Sequence, residues 1–120
     1  MKKYKSKIKN PMKIRLYRIL KEAGKKSNFW ERIAEEALKP RRRKKVVNIS
    51  KINRLTKSMD KVIVPGKVLG NGEINHSITL SAFEFSRKAI EKVLSANGKI
   101  LTIEEMIKKN PTGKGVKIIV

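Results

Sequence analysis

Apolar positions between residues 12 and 38 recur with the period of a helix. Met12, Leu16, Ile19, Leu20 and Ala23 fall on one face, while Lys13, Arg18 and Lys21 lie away from it. Asn10-Pro11 reads as an N-cap followed by a proline at the first helical position, where an N–H has no partner anyway. Gly24 is a natural stop. A second stripe of Trp30, Ile33, Ala34, Ala37 and Leu38 predicts another helix. Asn28 is its expected cap, with Glu31 three residues further on, and Pro40 ends it.

From residue 46 onward the pattern shortens and becomes β-branched. Residues 46–49 read as a strand, and Ser50 as the cap of a short helix reaching about Thr56. Residues 61–64 form a second strand bounded by Pro65-Gly66; residues 67–70 are a separate extended piece leading to the turn Asn71-Gly72. Residues 77–80 give a third strand. Phe83 and Phe85 follow it on opposite sides, one for the core and one for a partner. Ser86 caps a helix buried through Ala89, Ile90, Val93 and Leu94 and closed by Asn97-Gly98. A brief strand at 100–101 precedes a Thr102–Glu105 capping box, a short helix ending near Lys109, a turn at 110–113 and a last strand at 116–120. The expected fold is α/β: short strands alternating with helices in an irregular wound arrangement, preceded by two N-terminal helices. Strands this short argue against a full doubly wound sheet.

Charge changes the picture most. The 120 residues hold 31 Lys and Arg against 10 Asp and Glu, a net charge of +21. Residues 1–45 contribute +14 of it and residues 46–120 the other +7. Two runs stand out. Lys2, Lys3, Lys5, Lys7 and Lys9 make residues 1–9 a flexible basic arm, because like charges at this density oppose compaction. Arg41, Arg42, Arg43, Lys44 and Lys45 follow Lys39-Pro40 on a basic loop, residues 39–45. Residues 10–120 form one domain, since a 39% hydrophobic chain of this length can bury a core. The natural partner of such a charge is a polyanion. Aromatics at 5% argue against single-strand binding through stacking platforms.

Catalytic chemistry finds little to use. There is no Cys, which excludes thiol nucleophiles and Cys-bound zinc, and the one histidine, His76, has no partner at a recognisable spacing. The carboxylates fall mainly on helices among basic residues, as solvated faces and ion pairs do. No metal or cofactor is expected. No apolar run approaches the roughly 20 residues of a membrane span. The glycine-rich segment from Gly66 to Gly72 and the Thr112-Gly113-Lys114-Gly115 turn superficially resemble phosphate loops but match neither fingerprint in spacing. Both read as turns that bring backbone close to something else, with Lys67 and Lys114 free to meet a phosphate.

Several stretches carry a family likeness. They are Trp30-Glu31-Arg32-Ile33-Ala34 leading to Leu38-Lys39-Pro40-Arg41-Arg42; Val47-Asn48-Ile49-Ser50-Lys51-Ile52-Asn53-Arg54; the run Val62-Ile63-Val64-Pro65-Gly66-Lys67-Val68-Leu69-Gly70-Asn71-Gly72; Ile78-Thr79-Leu80-Ser81-Ala82 with Phe85-Ser86 and Ala89; and Asn110-Pro111-Thr112-Gly113-Lys114-Gly115-Val116. In this order they resemble the archaeal and eukaryotic large-subunit ribosomal protein family L-eighteen-e, a relative of bacterial L-fifteen. The third stretch is the most specific, and the first nine residues lie outside the likeness. The resemblance implies a non-enzymatic protein of the large ribosomal subunit in the cytoplasm. It implies ribosomal RNA and neighbouring ribosomal proteins as partners, a single copy in the particle, and no membrane or small-molecule substrate.

On this reading residues 41–45 are the main phosphate clamp, since the arginine fork makes paired hydrogen bonds to phosphate. Arg54, Lys67, Arg87 and Lys114 are secondary contacts, and Lys2, Lys3, Lys5, Lys7 and Lys9 order on binding. The same charge permits an architectural DNA-binding protein, although no apolar wedge or dimeric groove-reading element is evident. A small enzyme acting on RNA or a nucleotide is disfavoured by the lone His76 and the absence of a compact acid–base constellation. Binding to an anionic lipid surface would need the apolar stripe of the first helix, which the core uses better.

Overall fold

The structure is a computed structural model that describes residues 11–37 and 45–120, with side chains from 15–37 and 46–120. The expected arm, the Asn10 cap, Leu38, Pro40 and residues 41–44 lie outside the described residues. Among the described residues, five helices and five strands follow in the order α1 (Pro11–Gly24), α2 (Asn28–Ala37), β1 (Lys45–Asn48), α3 (Ile49–Leu55), β2 (Asp60–Leu69), β3 (Ile78–Phe85), α4 (Arg87–Ser95), β4 (Lys99–Leu101), α5 (Ile103–Lys109) and β5 (Val116–Ile118).

All strand pairings are parallel. The sheet runs β1-β2-β3-β4, and β5 also pairs with β2. β1 and β5 therefore share one edge of β2: β5 lies beside Lys61–Ile63 and β1 beside Gly66–Leu69. Pro65 sits between the two partners, where no ladder hydrogen bond is asked of it. The pairing with β3 slips by one residue at the same place, between Val64 and Lys67. A bulge is where a strand tolerates proline and glycine. The two extended pieces expected on either side of Pro65-Gly66 are thus one strand of ten residues.

Parallel strands must be covered on both faces. Alternation along β2 sends Val62, Val64 and Val68 to one face and Ile63 to the other. The first face packs against α3 and α4 through Ile49, Ile52, Ala89 and Val93. The second packs against α1, α2 and α5 through Leu20, Trp30, Ile33, Ala34, Ala37 and Met106. Helices cover both faces of a parallel sheet in which β1 has 4 residues and β4 and β5 have 3 each, the irregular wound α/β arrangement that the sequence predicts. Regular alternation would put Phe83 and Phe85 on one face. The register slip separates them, so Phe83 joins the second core and Phe85 the first, and neither is left for a partner.

The connection from β2 to β3 has no helix. Its eight residues must return past a ten-residue strand. At ~3.3–3.6 Å per residue, that is possible only for a nearly straight strap. The strap lies beside α3 and is tied to successive turns of it. Ser50 N–H donates to the Asn71 carbonyl (3.1 Å), Asn75 N–H to Asn53 Oδ1 (3.1 Å), and His76 Nε2 meets Thr56 Oγ1 (2.7 Å). On its other side Lys92 donates to the Gly72 carbonyl and pairs with Glu73 (3.5 Å). Ile74 plugs the strap into the first core.

Most caps agree with the sequence, and two do not. Ser86 Oγ accepts from Ala89 N–H, and Thr102 and Glu105 form the reciprocal capping box, at 2.9 and 3.1 Å. α4 closes with Asn97 at φ 63°, its N–H on the Leu94 carbonyl and that of Gly98 on the Val93 carbonyl. By contrast, α2 already includes Asn28, and the Glu31 N–H bonds to the Ser27 carbonyl, so the cap position is Ser27. α3 follows β1 directly, with Asn48 at the cap position, two residues before the expected Ser50. Lys45 belongs to β1 rather than to the loop before it. Leu94, expected in the core, is exposed on the outer side of α4.

The turn at 110–113 fastens the start of α2 to the start of β5. Trp30 Nε1 donates to the Asn110 carbonyl (2.9 Å), and Ser27 Oγ to the Thr112 carbonyl (2.8 Å). Gly113 adopts φ 75° directly under Phe29; a Cβ there would lie 2.3 Å from the ring. Gly115 has a similar φ of 80° with open space around it. Gly115→Ala should therefore cost about 1 kcal/mol, the strain of a left-handed alanine. Gly113→Ala should cost about 2 kcal/mol or more, because overlap with Phe29 is added. Denaturant melts of both variants check the difference.

Candidate nucleic-acid interface

A parallel sheet gives the molecule two unlike ends. β2, β3, β4 and β5 all start at one end, whereas β1 begins further along, beside Gly66; each helix between strands returns its C-terminus to the first end. The residues at the starts of these four strands, though far apart in sequence, are neighbours. Lys57 and Lys61 flank the start of β2; Lys99 opens β4; Lys114 and Lys117 flank the start of β5. Arg54 lies in the last turn of α3, and Lys108 and Lys109 in the last turn of α5. Basic residues at helix C-termini also complement the helix dipole. The Ser27–Thr112 hydrogen bond brings the α1–α2 turn, with Lys25 and Lys26, to the same end.

These ten Lys and Arg side chains are all exposed. They share the end with three acids, Glu22, Glu31 and Asp60. Glu22 pairs with Lys25 (3.2 Å) and Asp60 with Lys117 (2.9 Å). Among the described residues the opposite end is more balanced: Arg15, Lys67, Arg87 and Lys88 lie there with Glu84, Glu104 and Glu105, and Arg15 pairs with Glu104 (3.2 Å). Of the four secondary contacts expected from sequence, Arg54 and Lys114 lie at the strongly basic end. Lys67 and Arg87 lie at the other. Lys2, Lys3, Lys5, Lys7, Lys9 and Arg41, Arg42, Arg43 and Lys44 are outside the described residues, as is the Lys45 side chain. Lys25, Lys26, Lys57, Lys61, Lys99, Lys108, Lys109 and Lys117 escaped the sequence reading. None belongs to a dense run, and only the basic last turns of the helices hint at their role.

The other candidate chemistries find structural uses. Thr56 Oγ1 donates to the Ile52 carbonyl (2.7 Å), so it accepts from His76 Nε2; His76 Nδ1 meets Asn75 Oδ1 at 3.2 Å. The ring clamps the strap to α3. Gly70 and Gly72 let that strap pass close to the starts of α4 and α3. A Cβ at Gly70 would lie 2.7 Å from Lys88 Cβ, and one at Gly72 (φ 93°) 2.3 Å from Ser50 Cβ. Among the described residues no group of three His, Asp or Glu could hold a metal, and no helix is long and apolar enough to cross a membrane.

Fold and site together describe a wound α/β domain with one strongly basic end and a glycine-braced strap. The chain belongs to the family described as "Ribosomal protein 60S L18 and 50S L18e", which it matches over residues 1–120. That match includes the lysine-rich first nine residues, which the motif-level likeness left out. The chain is 42% identical over 107 residues to large ribosomal subunit protein eL18 of Pyrobaculum aerophilum, covering 88% of each. It is 41% identical over 113 residues to that of Archaeoglobus fulgidus, covering 92% of this chain and 97% of the relative. It is also 41% identical over 112 residues to that of Methanococcus maripaludis, covering 92% and 93%.

The carboxylate at the basic end is itself pH-sensitive. The hydrogen bond from Lys117 and then that from the Lys57 N–H (2.8 Å) hold the Asp60 carboxyl below its ordinary value of 3.8. A depressed folded-state value means that the stabilisation is full above the ordinary value and is lost as pH falls through the lowered one. The stability gap between wild type and Asp60→Asn should therefore be constant near neutrality. It should shrink as acid is added below about pH 4, where free aspartate begins to protonate. Urea melts across that range measure it.

Proposed function

We propose that this chain is a structural, non-catalytic component of the large ribosomal subunit that binds ribosomal RNA through its basic residues. Family membership with relatives at about 40% identity over most of the chain supports the ribosomal role. The observation that supports RNA as the ligand is the convergence of ten exposed basic side chains on one end of the sheet.

Residues 10–120 act as one RNA-binding domain. Arg41, Arg42, Arg43, Lys44 and Lys45 clamp phosphates, with Arg54, Lys67, Arg87 and Lys114 as further contacts. The arm carrying Lys2, Lys3, Lys5, Lys7 and Lys9 orders along the backbone, its lost conformational entropy offset by released counterions. Double-helical RNA presents few base edges to side chains, so recognition there rests on shape and backbone. The protein sits as a single copy beside other ribosomal proteins in the cytoplasmic particle.

Sedimentation tests the placement. The chain should travel with large subunits on a sucrose gradient, and recovery only in free fractions would count against the reading. A salt titration tests the mechanism. If about eight phosphates are neutralised, affinity for large-subunit RNA should fall about 10³- to 10⁵-fold between roughly 50 and 200 mM salt. Changing Arg41, Arg42 and Arg43 together to Gln should flatten the logarithmic salt slope by about 0.9 for each phosphate that is no longer neutralised. Duplex DNA competing as well as folded RNA would point instead to an architectural DNA-binding protein.

A further inference from the structure

One residue at the basic end breaks a conformational rule. Met59 has φ 72°, in the left-handed region that side chains rarely adopt. The other positive-φ positions among the described residues hold Asn97, Gly72, Gly113 and Gly115, the types that tolerate it. Met59 gains no burial in return. It is 78% exposed, more than any other large apolar side chain described. Strain without burial in the free protein points to a role in contact with a partner.

The turn holding it is firmly braced. Met59 N–H donates to the Ser77 carbonyl (2.7 Å), and the Ser77 hydroxyl donates to the Met59 sulfur (3.5 Å). Asp60 N–H returns to the Lys57 carbonyl (3.2 Å), and the Asp60 carboxylate holds both Lys57 N–H and Lys117. The thioether is therefore presented in advance, with little ordering left to pay for on binding. Met59 also directly precedes β2, which β5 and β3 flank at this end of the sheet.

We propose that Met59 is an apolar wedge that seats against an unstacked base of ribosomal RNA while the surrounding lysines hold the flanking phosphates. This rests on the RNA-binding reading above. Charge selects RNA over a protein neighbour: Lys57, Lys61 and Lys117 surround the turn, and its one acid, Asp60, is already paired. Chemistry selects a base over a phosphate, because a polarisable thioether interacts favourably with aromatic rings. RNA loops and bulges offer bases splayed out of their stacks. Among the described residues Trp30 is fully buried, and Tyr17, Phe29, Phe83 and Phe85 pack partly buried against the two cores, whereas Met59 stands clear of both.

The test uses the full chain, transcribed large-subunit ribosomal RNA, and the variants Met59→Gly, Met59→Asn and Met59→Leu. In the free protein, Gly and Asn relieve the left-handed strain, so melting temperatures should match or exceed that of wild type. Their affinity for the RNA should fall about ten-fold, the size expected for removing one base interaction. The salt slope should stay unchanged, since every phosphate remains neutralised. Met59→Leu should keep most of the affinity. Wild-type affinity in Met59→Gly would overturn the proposal, even if subunit assembly suffered, because the partner would then be a protein. Lower melting temperatures in both Gly and Asn variants would overturn it too, by giving the side chain a role in folding. Failure of the wild-type chain to bind RNA would remove the RNA-binding reading itself, which separates the two failures.

Discussion

β2 must be covered on both faces and paired on both edges, and the rest of the chain is arranged to do this. A parallel strand exposed on either side would leave apolar side chains in water. The run Val62, Ile63, Val64 feeds both cores, and three other strands pair with β2. No single neighbour is long enough to cover the edge opposite β3. β5 takes one half and β1 the other, and the chain places Pro65 at the change of partner. The proline that looks like a strand boundary in the sequence is thus a junction within the strand.

The same parallel arrangement organises the charge. In an antiparallel sheet the lysines before each strand would be divided between two ends. Here those at the starts of β2, β4 and β5 accumulate at one, together with the basic last turns of α3 and α5. The RNA binding proposed above draws on this polarity. The strap between β2 and β3 adds a second constraint. With no helix to carry it, it must run straight, and its glycines, His76 and Lys92 pack and tether it against α3 and α4.

Local signals are legible where a side chain answers a need within a few residues. The capping box at Thr102 and Glu105, the Ser86 cap, the Asn97-Gly98 closure and the apolar stripe of α2 all stand where their spacing puts them. The departures share a physical cause. Ser50 and Asn28 have the chemistry of caps, but strand pairing and the packing of Ser27 against Thr112 move the helix starts. Phe83 and Phe85 do lie on opposite sides, which regular alternation would not produce; a register slip of β2 against β3 does it. The basic end is invisible in the sequence for a related reason, because its lysines are scattered one or two at a time along the chain.

The sequence by itself determined an α/β domain with two leading helices, a large positive charge, no thiol chemistry and a likeness to one ribosomal protein family. These follow from composition, periodicity and short motifs, which depend only on neighbouring residues. Tertiary structure alone decided that Pro65 lies inside the longest strand and that His76 braces a strap. It also gathered ten separated basic residues around an exposed, strained Met59. Each of these depends on which strands lie side by side and in which direction. Those pairings link residues tens of positions apart, and no local pattern records them.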